Sequence, residues 1–358
     1  MNGLKWPAII EGTGILQNVL GQYSDAIWVI SPSIMDQLKD FPSSYRVLIV
    51  KRADTSTLSQ LQDLIADSNA SSVIAIGGGK VIDIAKLAAN YERIDHCDHW
   101  GEKAVLAQKQ LRQPLQLIVV PSTAGSGSEA SETAVLTVND RKIPIYSERL
   151  LPDLVLLETE LVALAPPRVL WNGVWDTLVH ALESSLSPLA NSYTLPHSLE
   201  VFRSSKKIID QALETGSITK EFPAATAQWN SIRAGKIQSK ASVGLAHALA
   251  HQSEHTDQWH GEACARVLPR VLSKNTEKAE GKMLKFAHSV GFESIAALLR
   301  WVEGSVNHSV GAYIPKLIPY EEKEQVILRT MKDPCFRTNP VFWTRSELTL
   351  WLEEWFYG

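Results

Sequence analysis

At 358 residues the chain is longer than a single hydrophobic core usually supports, so two domains are expected. Apolar residues at 45% and charged residues at 21% describe an ordinary globular protein rather than a disordered one. A net charge of −4 offers no basic footprint for nucleic acid, and the longest apolar runs, such as "LQLIVV", fall far short of a membrane span. The opening "MNGLKWPAIIEGTG" lacks a charged start followed by a long apolar stretch, and Cys97, Cys264 and Cys335 are odd in number and widely separated. Together these predict a reduced, cytoplasmic protein without a signal peptide.

In the first 160 residues, β-branched apolar runs at 26–31, 45–50, 72–77, 115–122, 133–138 and 153–158 predict strands. Helical patterns such as "STLSQLQDLIADSN" and "VIDIAKLAANYE" lie between several of them. Strands alternating with helices define an α/β domain with a mainly parallel sheet, and near-continuous apolar strands fit burial on both faces. After "LAPPRV" the texture changes to long amphipathic patterns, including "VLWNGVWDTLVHALESSLS" and "IAALLRWVEGSVNHS". The expected division is residues 1–160, an α/β domain, and 161–358, an all-helical domain; the family resemblance given below implies dinucleotide binding by the first and metal and substrate binding by the second. The 11 tryptophans, mostly on helical patterns, read as packing.

The stretch "SVIAIGGGKVIDIAK" runs from an apolar strand through three glycines into a helix. Such a turn can let backbone N–H groups at a helix N-terminus approach a phosphate, or can be a tight turn with no ligand. Lys80 follows directly and could add a cation. A second strand leads into "PSTAGSGSEAS", where Ser122, Thr123, Ser126 and Ser128 supply hydroxyls. Two such loops at the carboxyl edge of one sheet suggest a nucleotide cradled between them.

The helical half carries two polar pairs four residues apart, Asp176 with His180 and His247 with His251. Each pair shares one helix face, and each is flanked by apolar residues, so these groups need partners. His255 and His260 follow, which places four of the 10 histidines within a short stretch. One carboxylate oxygen with several imidazoles suits Fe(II) or Zn(II) better than Mg or Ca. H-E-x-x-H is absent, which argues against a zinc hydrolase. "HCDH" at 96–99 is too tightly spaced for a one-metal site and reads as a surface or cofactor-edge loop.

Taken in order, "GGGKVIDIAK", "PSTAGSGSEAS", "LLPDLVLLETELVALAPPRV", "WDTLVHALES", "GLAHALAHQ…WHGEA" and "DPCFRTNP" resemble the iron-containing (group III) alcohol dehydrogenase family, within the dehydroquinate synthase-like superfamily. The resemblance implies a metal ion, Fe(II) first and Zn(II) as the alternative, held by Asp176, His180, His247 and His260. It implies that His251 relays a proton near substrate and nicotinamide, and that Cys335 approaches the active-site cavity. It places the dinucleotide pyrophosphate on Gly78, Gly79 and Lys80, with Asp83 supporting the turn. Ser122, Thr123, Ser126 and Lys142 are the further contacts to the cofactor that it implies. In NAD-preferring relatives the first strand ends near an aspartate; here Ser31 stands at that place, so NADP(H) is expected to be preferred, with NAD(H) also used.

The implied activity interconverts a small aldehyde or ketone with its alcohol, the metal polarising the carbonyl for hydride transfer, and the expected assembly is a homodimer. A phosphonoacetaldehyde-type reductase is the alternative within the family, and a sugar-phosphate cyclase of the dehydroquinate synthase type the alternative outside it. Departures from the family pattern are Lys80 in place of a serine, Trp259 before His260, the extra His255, and Val341 after "NP".

Overall fold

The computed structural model describes residues 6–38, 41–92, 113–139, 141–252, 259–311 and 323–357. The "HCDH" stretch and His255 lie outside them. The chain divides into two compact units, one of residues 1–165 with 224–236, the other of 166–223 with 237–358.

The first unit is built on a parallel sheet of β1 (Ala8–Gly12), β2 (Ile27–Ile30), β3 (Arg46–Ile49), β4 (Ser72–Gly77), β5 (Gln116–Pro121) and β8 (Leu154–Glu158). Their order across the sheet is β1-β8-β5-β4-β2-β3. Strand interiors alternate between two cores. Ile27, Val29, Val73, Ala75, Leu117 and Val119 enter one; Trp28, Ile30, Ile74, Ile76, Ile118 and Val120 enter the other. Both faces are covered, the first by α3 (Thr55–Ala66) and α4 (Gly79–Asn90), the second by α1 (Ile15–Leu20) and α2 (Pro32–Met35). This double burial is why the strands read as continuous apolar runs.

Two strands escape a reading by pattern. Strand β1 lies at the sheet edge with Ile10 half exposed, so it lacks the apolar run of its neighbours. Strand β7 (Arg141–Tyr146) contains Pro144 and pairs antiparallel with β6 (Thr133–Val138) in a separate ribbon, an arrangement that tolerates the missing N–H.

The connection out of β2 runs to β3 on one side, whereas β4 is followed by β5 on the other. The carboxyl ends of β2 and β4 therefore flank a topological switch point, where open α/β sheets bind ligands. Residues 224–236 belong to helix α8 (Ala224–Ala241) and join this unit through polar contacts: Ser231 Oγ donates to Glu129 Oε1 at 2.9 Å and accepts from the Gly127 N–H at 3.1 Å. Local helical texture does not reveal that return, and the division at 160 does not anticipate it.

The second unit is helical throughout its described residues. Its centre is α6 (Pro167–Leu186), buried at every position from Gly173 to Leu186 and packed against α7 (Thr194–Thr215) and α10 (His260–Ser289). Short α9 (Leu245–Ala250) precedes α10, and α11 (Ile295–Ser309), α12 (Lys323–Lys332), α13 (Pro334–Arg337) and α14 (Arg345–Tyr357) complete the unit. Among the described residues no helix is long and apolar enough to cross a membrane.

Candidate functional site

On the first unit, α4 begins directly after Gly78, and no side chain caps it. A methyl group on Gly78 would stand 3.1 Å from Thr123 Oγ1, and one on Gly79 only 2.7 Å from Ser126 Oγ. The glycines thus let the loop after β5 lie directly on the turn after β4, which brings Ser122, Thr123 and Ser126 beside Gly78 and Gly79. Lys80 is exposed at the start of α4.

Asp83 has a different task, because both its oxygens are engaged by protein: Ser128 Oγ donates to one at 2.5 Å and the Val135 N–H to the other at 2.9 Å. Burial pushes its carboxyl above the usual range, against the pull of Lys86 and, more weakly, of Lys142 on β7. Lys86 in turn donates to the Ser131 and Thr133 carbonyls, and burial brings its ammonium down to about 8. Asp83 and Lys86 therefore fix the second loop from beneath.

Ser31 follows β2 on the other side of the switch point. Its N–H donates to the Ile76 carbonyl at 3.1 Å, while its buried Oγ has no hydrogen-bond partner among the described residues. Asp25 is remote from this edge. It precedes β2 and accepts from Ser71, which precedes β4, so it stands at the amino end of the sheet.

On the second unit, α6 presents Asp176 and His180 one turn apart, α9 supplies His247, and α10 opens with His260. Asp176 Oδ1 stands 3.7 Å from His180 Nδ1, 3.7 Å from His247 Nε2 and 3.8 Å from His260 Nε2. None of these distances is a hydrogen bond. Asp176 Oδ1, His180 Nδ1 and His247 Nε2 are buried with no hydrogen-bond partner among the described residues. Orphaned polar atoms in a protein interior cost about 1–3 kcal/mol each, and those of Asp176 and His247 belong, with His260, to a group of ligand atoms all within 4.8 Å of one another, which is the place for an occupant. Ligands about 2.0–2.2 Å from one ion stand about 3.3–3.6 Å apart at tetrahedral angles, close to the spacing found here. The donor set of one carboxylate and imidazoles fits a divalent transition metal.

The electrostatics of the cluster differ from ring to ring. Burial, reinforced by the other imidazoles, holds His180 down to about 3 against the pull of Asp176, so its ring is neutral near pH 7. Burial works against the Asp176 carboxylate, but His180, His260 and His247 more than offset it and hold the group below the usual range. His247 shows the reverse balance: burial lowers it, yet Cys264, Asp176 and Glu183 raise it well above the usual value.

Glu183 orients His247 and is absent from the sequence reading. Its carboxylate accepts from His247 Nδ1 at 2.7 Å and from the backbone N–H groups of Gly244 at 2.9 Å and Ala246 at 2.7 Å. It therefore caps α9 and leaves Nε2 aimed at Asp176. Asn172 does the same service for α10, accepting from the Gly261 N–H at 2.8 Å. Residues 172, 176, 180 and 183 lie three or four apart on α6, so helical spacing was the signal that could have found both.

Gly261 permits the approach of α10 to α6, since a Cβ there would fall 2.0 Å from the Asn172 carbonyl oxygen and 2.9 Å from Asp176 Cβ. Gly261→Ala is therefore expected to push His260 away from Asp176, to lower the melting temperature by an overpacking cost of about 1–3 kcal/mol, and to reduce bound metal. Metal analysis of the folded variant checks this, and full occupancy would show that the close approach is dispensable.

His251, just past α9, belongs to a neighbouring group. Its Nδ1 lies 2.8 Å from Asp333 Oδ2, and its ring stacks on His260 at 5.3 Å. Asp333 Oδ1 accepts from the Cys335 N–H, which brings the "DPC" segment to His251. Burial and the adjacent Asp333 raise the Cys335 thiol well above its ordinary value, so it stays protonated. Trp259 is partly exposed and packs under the Arg168 guanidinium, which also pairs with Glu262 at 2.6 Å.

The metal-type cluster and the phosphate-type turn fit an enzyme that uses a metal and a nucleotide, and comparison with known proteins gives its class. Residues 27–159 match the family described as iron-containing alcohol dehydrogenase, and residues 172–354 match the Fe-containing alcohol dehydrogenase family, C-terminal. The chain belongs to the iron-containing alcohol dehydrogenase family and is an oxidoreductase of the alcohol dehydrogenase type.

Among curated relatives, 1-propanol dehydrogenase of Salmonella typhimurium is 28% identical over 309 residues, covering 79% of this chain and 76% of that protein. Among solved structures, the iron-containing alcohol dehydrogenase of Thermococcus thioreducens superposes with a TM-score of 0.83 at 22% identity, with all of both chains covered. Sulfoacetaldehyde reductase of Bifidobacterium kashiwanohense, solved in complex with NAD+, gives 0.82 at 22% identity over 98% of this chain and 97% of that one. At these identities the two structures establish a shared fold.

Proposed function

We propose that the chain is a metal-dependent NAD(P)(H) oxidoreductase that interconverts a small aldehyde or ketone and the corresponding alcohol. The observation that carries this reading is the clustering of ligand atoms from Asp176, His247 and His260 within 4.8 Å of one another, with His180 Nδ1 facing Asp176 Oδ1 at 3.7 Å. When bound, the metal supplies Lewis acidity toward a carbonyl oxygen, and the nicotinamide supplies or accepts the hydride.

The residues of this chain do the rest. Gly78, Gly79 and the start of α4 offer backbone to a pyrophosphate, with Lys80 as a nearby cation. Ser122, Thr123 and Ser126 line the adjacent loop. Asp83, with Lys142 in its field, keeps that loop in place. His251, held through Nδ1 by Asp333, presents its other ring nitrogen for delivering the proton that the carbonyl oxygen needs.

The decisive experiment is a reductase screen across small aldehydes with and without an anionic tail, using protein loaded with Fe(II) or with Zn(II). Turnover dependent on both metal and nicotinamide supports the reading. Protein that holds neither metal nor dinucleotide refutes it.

Preference for NADP(H) follows from Ser31. A carboxylate at the end of β2 would accept from the adenosine ribose hydroxyls and repel a 2′-phosphate, whereas a serine hydroxyl can donate to one. The unpartnered Ser31 Oγ at the switch point supports this assignment. NADPH is expected to give the higher kcat/KM, and Ser31→Asp to shift preference toward NADH. A tenfold preference of the wild type for NADH, about 1.4 kcal/mol in the transition state, would overturn the idea.

A further inference from the structure

Helix α9 carries His247, and its N-cap is Gly244, which has no side chain to cap with. The caps come from afar. Glu183 takes the N–H groups of Gly244 and Ala246, while the one between them, on Leu245, donates to Asn339 Oδ1 at 3.3 Å. Asn339 is buried and lies 94 residues further along the chain, just past α13. Its Oδ1 also accepts from Asn275 Nδ2 at 3.0 Å, and its Nδ2 donates to Asn275 Oδ1 and to the Val341 carbonyl, each at 2.8 Å. Two donors and two acceptor positions are all that a side-chain amide has, so these partners fix its orientation. Asn275 belongs to α10, so Asn339 ties the helix of His247 to the helix of His260.

The chain ahead of α9 is held by the same segment. Ser242 has φ 58° and ψ −174°, a conformation that residues with a side chain rarely adopt and keep only where their surroundings impose it. Ser184 Oγ donates to the Ser242 carbonyl at 2.7 Å. Thr338 Oγ1 donates to the Val243 carbonyl at 2.5 Å and lies 3.0 Å from Ser242 Oγ. Gly244 lets these groups close in, since a Cβ there would fall 2.8 Å from Glu183 Oε1 and 3.3 Å from Asn339 Oδ1.

We propose that Thr338 and Asn339 are positioning residues of the metal site: they fix the start of α9, and through it where His247 Nε2 stands relative to Asp176. The inference rests on the metal-dependent reading above. Both residues act through backbone groups within one turn of His247 rather than on a ligand atom.

The test uses full-length protein stripped with a chelator and reloaded with Co(II), whose release into excess chelator is followed by its visible d–d bands. Asn339→Ala is expected to lower Co(II) affinity by about 10–100-fold, the usual cost of removing a group that orients a ligand, mainly through faster release. Amide exchange at Leu245 should quicken in the same variant. Trp343→Phe is the control for lost stability alone. It removes a donor to Asn275 Oδ1 at 3.3 Å but leaves every bond of Asn339 in place, so it should lower the melting temperature with Co(II) release unchanged. Thr338→Val keeps the side chain's shape without its hydroxyl; it should quicken release as well, and it carries the test if Asn339→Ala does not fold. Unchanged release from folded Asn339→Ala, or from Thr338→Val in its place, overturns the positioning role and leaves the metal site standing. Release quickened equally by Trp343→Phe overturns that role too. Wild-type protein that binds no Co(II) overturns the metal-dependent reading and this inference together.

Discussion

Asp176→Ala protein is expected to fold, to purify without bound metal, and to lose activity by about a thousandfold or more, the equivalent of several kcal/mol of Lewis-acid stabilisation. The size of the effect follows from position. Asp176 Oδ1 is the common neighbour of His180, His247 and His260, between 3.7 and 3.8 Å from a ring nitrogen of each. Removing it takes away the carboxylate those three imidazoles face. His260→Ala should lose metal for the same reason, while His255→Ala should retain it. Metal analysis by mass spectrometry beside a thermal melt separates loss of the ion from loss of the fold. Equal metal content in the wild type and His260→Ala would refute the assignment of this site.

His251→Ala is expected to keep the metal and to lower kcat by about 10²–10⁴-fold, the usual worth of a positioned acid or base. The side chain is tied to Asp333 rather than to Asp176, and it stacks on His260 rather than sharing the donor point. The loss should fall on kcat with little change in KM, and added imidazole should restore part of it. A merely structural role would give neither result. Asp333→Ala, which releases His251 Nδ1, should slow turnover less than loss of the ring itself. A His251→Ala protein that purifies without metal would show that His251 serves as a ligand.

The parts of the fold legible in the sequence were those fixed by short-range pattern. Strands β2, β4, β5 and β8 are buried on both faces, so their apolar runs stand out, and the glycines after β4 mark the turn where the second loop presses closest. Edge strand β1 and Pro144-bearing β7 carry no such run. The return of residues 224–236 to the α/β unit depends on Ser231 meeting Gly127 and Glu129, contacts between residues more than 100 positions apart that leave no local trace. The site divides in the same way. Asp176 and His180 announce themselves by helical spacing among apolar neighbours. Glu183 shares their face, but its purpose becomes visible only when Gly244, Ala246 and His247, more than 60 residues on, fold against it.

Helix α9 spans six residues, well below the roughly 12–15 that an isolated helix needs in water. Its shape is borrowed from Glu183, which gathers its first N–H groups and the His247 ring in one carboxylate. All six residues of α9 are buried and the helix packs on α10, so in the proposed metal site His247 would be held by that packing together with Glu183. The residence time of a metal bound there would then report how firmly this one short helix is held. Glu183→Gln should shorten it, and amide hydrogen exchange at Ala246 and His247 should quicken in step with metal release, while exchange along α6 stays slow.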